Sequence, residues 1–295
     1  MEQKNKGSDL QIKRQKTETA LNGIRSLPLI PKVVFNVTKL LSDPSVSTNI
    51  LAGEIGKDQG LTTKVLSIAN SPLYGLQRKV TSLEFAIIVL GFKEMSDIVT
   101  AVSLTDAIKV TSDKFFNQND FWIHSLVVGT AAKHISHHLG HYDIGSDAFV
   151  AGVLHDIGIQ ILYKFFNTQF RQVATLVNDK SYKFEDAEKE IFGLTHQNVG
   201  KFLADKWNLP EILGDVLQHH HKPSESNKTK VIPSIVHLAD YMTQTFQVGN
   251  FYWDDDMKLD EGINKELNFK SSTELDNFIQ DYKDLYLQTA TSTKI

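Results

Sequence analysis

The sequence predicts an all-α fold, a compact multi-helix assembly of short helices joined by short connections. Apolar residues recur at three- and four-residue spacing along nearly the whole chain, the period of a helix with one buried face. No stretch alternates strictly between apolar and polar, as a half-buried strand would. The interruptions carry helix punctuation, such as Pro31, Asn70-Ser71-Pro72, Gly91 and Asn208-Leu209-Pro210. No internal repeat is visible.

Residues 1–15 are polar and read as a disordered tail. Leu27-Pro28-Leu29-Ile30-Pro31 is an extended entry, and Pro31 suits the first turn of a helix over 32–42. Ile50, Leu51 and Ile55, then Leu61, Val65, Leu66 and Ala69, make two short amphipathic stretches. Asn70-Ser71-Pro72 ends the second, because the residue before a proline avoids helix. Thr81 with Glu84 reads as a capping box opening Phe85–Leu90, and Gly91 closes it. A helix over 92–109 follows, and the polar stretch near 110–118 is a natural boundary.

Asn119-Asp120 is a plausible cap for the next helix, which carries Phe121, His124, Val128, Ala131 and Ile135 on one face. Gly145-Ser146 precedes a helix over 147–157, with Gly158 as its stop, and Ile159–Val177 reads as one further helix. Thr195 caps a helix over 196–207, and 211–220 continue after the Pro210 turn. Pro223–Lys230 is a polar loop. Ile232, Ile235, Val236, Ala239 and Met242 form another amphipathic helix, and Ser271 with Glu274 is a second capping box.

Composition narrows the function. Hydrophobic residues are 41% and charged residues 22%, and the formal charge of −4 offers no basic face for nucleic acid or an anionic membrane. There is no cysteine, so thiolate metal sites and disulfides are excluded. The start lacks the apolar core of a signal peptide and no apolar run reaches membrane-spanning length, which points to a cytoplasmic protein.

The chemistry-bearing residues are His124, His155, Asp156, His196, the run His219-His220-His221, and Asp240. Singly, each histidine on an apolar face reads as a hydrogen-bonded core residue. Jointly, burying so many ionisable groups is costly unless they share a cation. His124 follows Phe121 by three residues and precedes Val128 by four; His196 precedes Val199 and Leu203 in the same way. His155 and Asp156 are adjacent, about 100° apart on a helix, so both reach one ion only from a helix end. His237 is a reserve ligand beside Asp240. His134, His137, His138 and His141 read instead as a solvated C-terminal turn. Nitrogen and oxygen donors suit one or two divalent ions, with iron, manganese or zinc foremost.

The chain resembles the HDOD family, a branch of the HD phosphohydrolase superfamily. The resemblance runs over roughly residues 20–245 and rests on Leu27-Pro28-Leu29-Ile30-Pro31, Ala69-Asn70-Ser71-Pro72-Leu73-Tyr74-Gly75, Ala86–Gly91, Gly152–Gly158, Thr195–Gly200, Trp207-Asn208-Leu209-Pro210 and His220-His221-Lys222-Pro223. It implies an N-terminal helical lobe (16–112) packed on an HD-like lobe (113–250), with 251–295 as a helical extension. It also implies that His124, His155, Asp156, His196, His220, His221 and Asp240 are metal ligands, in the order seen in the related HD-GYP phosphodiesterases, with His219 an unresolved alternative. The chain departs from those enzymes in two ways. Lys222-Pro223-Ser224-Glu225 replaces their Gly-Tyr-Pro signature, and Ile159 stands where many carry a phosphate-binding lysine. The resemblance therefore implies a bacterial signal-transduction output module with a retained metal site, signalling proteins as partners and a possible phosphorylated or nucleotide ligand. The alternative is a metal-dependent phosphohydrolase or phosphodiesterase acting on a nucleotide or cyclic dinucleotide, in which Asp156 would be catalytic. No motif is legible in 251–295; Asp254-Asp255-Asp256 reads as a helix start or solvated loop.

Overall fold

The chain enters on a long helix, α1 (Glu2–Gly23), in the computed structural model, which describes residues 2–180, 182–248, 253 and 257–292. The expected disordered tail is thus helical. Tertiary contacts explain it: Leu21 is buried, Thr17 Oγ1 donates to the Phe192 carbonyl at 2.8 Å, and Lys13 Nζ donates to the Glu190 carbonyl at 2.8 Å. A polar helix that propensity alone leaves marginal is held by docking.

Five helices follow: α2 (Lys32–Leu41), α3 (Thr48–Ile55), α4 (Gln59–Ala69), α5 (Leu83–Leu90) and α6 (Phe92–Asp106). Pro31 is the N-cap of α2. Ser82, not Thr81, caps α5, its hydroxyl accepting from Phe85 N at 3.1 Å. Gly91, at φ 90°, both closes α5 and opens α6. The loop after α4 is shut by Asn70, whose side chain mimics a paired backbone: Nδ2 donates to the Val80 carbonyl at 2.8 Å and Oδ1 accepts from Val80 N at 2.7 Å. Tyr74 in that loop donates its hydroxyl to Glu94 of α6.

The remaining helices are α7 (Gln118–His138), α8 (Gly145–Leu154), α9 (Ile157–Phe165), α10 (Asn167–Lys180), α11 (Phe184–Phe192), α12 (His196–Lys206), α13 (Glu211–His219), α14 (Val231–Thr245), α15 (Ile263–Glu266), α16 (Ser272–Asp281) and α17 (Lys283–Ser292). No strand occurs among the described residues. Asn117 caps α7, two residues earlier than the sequence indicates, because its Oδ1 accepts from both Asn119 N and Asp120 N. The helix expected over Ile159–Val177 is two helices, α9 and α10, divided at Phe166. Ser271 caps α16 as expected.

Two contacts tie the first helices to the rest. Glu94 bridges Tyr74 and Lys133 of α7, which donates to its second oxygen. Trp207 Nε1 donates to the Pro28 carbonyl at 2.7 Å. The stretch Tyr142–Phe165 is apolar and long enough to cross a membrane, yet 89% of its most apolar window is buried inside the protein. It is core: α8 packs against α7 so closely that a Cβ on Gly152 would lie 2.7 Å from Gly129 Cα.

Candidate metal centre

The break between α8 and α9 falls at His155-Asp156 themselves. Gly158, read as a helix stop, lies inside α9 and serves another purpose. A Cβ there would stand 2.0 Å from the His196 carbonyl oxygen and 2.9 Å from Gly200 N. The missing side chain lets α9 lie directly on the start of α12, which brings Asp156 to His196. Thr195 caps α12, its N–H bonded to Asn198 Oδ1 at 3.1 Å, and so fixes where His196 begins.

His124 (α7), His155, Asp156, His196, His220 and Asp240 (α14) are all 0% exposed. They converge with His221 on one cage. Asp156 is its centre. Its Oδ2 lies 3.3 Å from both His124 Nε2 and His155 Nε2. Its Oδ1 lies 3.4 Å from His196 Nε2 and 3.5 Å from His220 Nε2. Asp240 closes the first side, with Oδ1 3.4 Å from His124 Nε2 and Oδ2 3.7 Å from His155 Nε2. Two donor groups result, His124–His155–Asp240 and Asp156–His196–His220–His221, each with its donor atoms within 4.8 Å of one another.

The arrangement fits divalent cations. Donors about 2.1 Å from one ion at tetrahedral or octahedral angles stand about 3.0–3.4 Å apart, and the His–Asp separations here, from 3.3 to 3.7 Å, lie at or just beyond the upper end of that range. Asp156 Oδ1, His196 Nε2 and His220 Nε2 are buried without a hydrogen-bond partner, a costly state that an ion between them relieves. The donor set is imidazole and carboxylate only, suited to iron, manganese or zinc.

The far side of the imidazoles is equally ordered. His155 Nδ1 pairs with the Gly152 carbonyl at 2.7 Å and His220 Nδ1 with the Leu217 carbonyl at 3.0 Å. His196 Nδ1 meets Glu188 Oε2 at 2.9 Å, and His221 Nδ1 meets Glu185 Oε1 at 2.6 Å. Carbonyl oxygens and ionised carboxylates only accept, so opposite them each Nδ1 carries the hydrogen. In the neutral ring this leaves the Nε2 lone pair for a cation.

Charge follows the same plan. Burial pushes the Asp156 carboxyl up, but the charge of His155 and the contacts from His124, His155 and His220 outweigh it and hold the group well below the usual carboxylate range. Burial, reinforced by His221, keeps His220 well below the usual imidazole range. Burial works against a charged His196, but Glu188 overrides it and raises the imidazole. For Glu188 itself burial prevails and raises the carboxyl.

The structure thus brings all seven sequence-predicted residues together and leaves His219, the open alternative, apart from them. His219 pairs with Asp215 at 3.0 Å, outside the cage. His237, the reserve ligand, is engaged elsewhere: its Nδ1 pairs with the His220 carbonyl at 2.7 Å and its Nε2 accepts from Asp260 N at 2.9 Å. His134, read as solvated, is half-buried with Nδ1 2.9 Å from the Tyr282 hydroxyl. Asp254–Asp256 lie outside the described residues.

Three residues of the site escaped the sequence reading. Glu185 and Glu188 sit on α11, and Glu188 shares a face with Phe184 and Phe192 at four-residue spacing, a visible signal of a buried acid. Trp253 donates its indole N–H to Asp156 Oδ2 at 2.7 Å, and nothing in its sequence context announces that.

Residues 27–223 match the family model of the HDOD domain. Among solved structures, an HDOD domain protein of unknown function from Geobacter sulfurreducens is 27% identical, with a TM-score of 0.76 over 96% of this chain and 97% of that one. A candidate phosphohydrolase from Shewanella amazonensis SB2B is 20% identical, with a TM-score of 0.70 over 93% and 97%, a likeness of fold. An uncharacterized protein of Treponema pallidum (strain Nichols) is 21% identical over 245 residues, 82% of this chain. The chain spans about half the length of that relative, 47%.

Proposed function

The chain belongs to the HDOD domain family, and on that footing we propose that it is a signal-transduction regulatory module that holds one or two divalent metal ions and has little or no phosphoester turnover. The observation that carries this reading is the closure of the cage: six of its seven residues have no solvent exposure. Structural metal sites are closed, whereas catalytic ones keep a position open for water and substrate. A pair of divalent ions, when bound, supplies Lewis-acid polarisation and a lowered pKa for water.

The protein's own groups do the rest. Asp156 stays ionised and presents one oxygen to each donor group. Glu188, Glu185 and two backbone carbonyls hold the imidazoles in the tautomer that faces inward. Ile159, three residues after Asp156, is buried apolar core and offers a phosphate no charge. Near His221, Lys189 is paired with Glu185 at 3.0 Å and Lys222 with Glu225 at 3.4 Å. We take the setting to be the bacterial cytoplasm, with signalling proteins as partners and two lobes meeting at Glu94–Lys133.

The second reading is a metal-dependent phosphohydrolase acting on a nucleotide or cyclic dinucleotide, favoured by two intact donor groups around one shared carboxylate. The test is a phosphoester screen on protein loaded with manganese or iron. The regulatory reading expects background rates. Ordinary turnover that disappears in His155→Ala establishes the second reading instead.

A further inference from the structure

An indole also touches the cage. Trp253 is 3% exposed and donates its indole N–H to Asp156 Oδ2 at 2.7 Å. Its ring stacks on Phe116 at 6.1 Å and leans on Phe121 at 6.0 Å, and it meets the His124 ring edge-on at 6.1 Å between centroids. Outside lies a cavity of about 680 Å³ bordered by His221, Trp253, Met257 and Lys258. Of the seven cage residues only His221 borders that cavity. Trp253 touches both the cavity and the shared carboxylate, so it stands between them. It also lies beyond residues 27–223, the part matched to the family.

We propose that Trp253 is the stopper of the cage. Its indole fills the approach by which water, a chelator or a phosphoester would reach cations at Asp156, and its N–H holds that carboxylate in the orientation that faces both donor groups. It is a positioning and access-determining residue, not a catalytic one. The inference rests on the metal-holding reading above and adds the reason why the site is closed. An indole suits the task because its apolar faces pack against the Phe116 and Phe121 rings while its single donor satisfies the carboxylate.

The test is the rate at which manganese-loaded full-length protein surrenders its metal to excess EDTA, with metal content measured before mixing. Trp253→Phe keeps an aromatic ring but lacks the N–H; Trp253→Ala opens the approach. The expected result is equal loading in all three proteins and release at least about 10-fold faster in Trp253→Ala, with Trp253→Phe between, since the shell around a metal site governs solvent access. Should the alanine variant fail to fold, the phenylalanine variant decides alone. Wild-type loading with wild-type release rates in the variants overturns the stopper and leaves the metal-holding reading standing. Absence of metal from every protein overturns both.

Discussion

His196 and Glu188 form a buried couple: the imidazole Nδ1 lies 2.9 Å from Glu188 Oε2, and the same oxygen accepts the His196 backbone N–H at 3.1 Å. One carboxylate thereby fixes ring orientation and tautomer together, leaving Nε2 3.4 Å from Asp156 Oδ1. Glu188→Gln keeps the shape and removes the charge. Metal affinity should fall about 10–100-fold, the usual cost of losing such a supporting group. Competition with a chromogenic chelator reads this directly, and an unchanged affinity would show that Glu188 serves packing alone.

Asp156 faces both donor groups, so Asp156→Asn should damage both at once. An amide presents one neutral oxygen and one nitrogen that cannot bind a cation. Metal content should fall by at least about one equivalent, and the loss should exceed that of Asp240→Asn, which belongs to the first group. Parallel metal analysis of the two variants ranks them; equal losses would contradict a shared carboxylate.

Gly158→Ala places a Cβ 2.0 Å from a backbone oxygen of the neighbouring helix, where no flexible side chain can yield. α9 and α12 must separate. The cost should be about 3 kcal/mol or more, the upper end for overpacking, read as a lower denaturant midpoint. A variant of wild-type stability would mean that the two helices do not approach as described.

Glu94 holds Tyr74 on one side and Lys133 on the other, and its side chain is 9% exposed. Lys133→Met leaves the acid without its cation and should destabilise the fold by about 3–5 kcal/mol. Tyr74→Phe removes one hydrogen bond to a charged group and should cost about 1.5–3 kcal/mol. In the double variant the effects should be non-additive, since both act on one carboxylate; strictly additive values would argue against a single network.

Acidification should loosen the docking of the C-terminal helices on α7. Burial, helped by the charges of His138 and His137, holds the His134 imidazole below its ordinary value. The unfolded chain therefore takes up this proton first as pH falls, and this contribution to stability is present above about pH 6.5 and shrinks below it. His134→Gln retains a hydrogen-bonding partner for the Tyr282 hydroxyl. It should show a smaller drop in melting temperature between about pH 7.5 and 5.5 than the wild type; identical drops would place the effect elsewhere.

How much of this was legible follows from what each residue interacts with. The all-helical class and the seven cage residues were readable because helical periodicity put His124 and His196 on apolar faces, and the resemblance carried the order of the rest. α1 was missed because its stability comes from Phe192 and Glu190, far away in sequence. Gly158 was misread because a glycine that ends a helix and one that admits a neighbouring helix look alike in one dimension. Glu188 was readable in principle from the Phe184–Glu188–Phe192 stripe. Trp253 was not: its hydrogen bond to Asp156 spans 97 positions with no spacing rule to suggest it.

The most direct test of the central claim is the metal content of wild-type protein, purified untagged and without chelators and measured by plasma mass spectrometry. The cage predicts about one or two equivalents of iron, manganese or zinc per chain, lost in Asp156→Asn. A folded wild-type protein that arrives without metal, and takes up none when titrated, would contradict it.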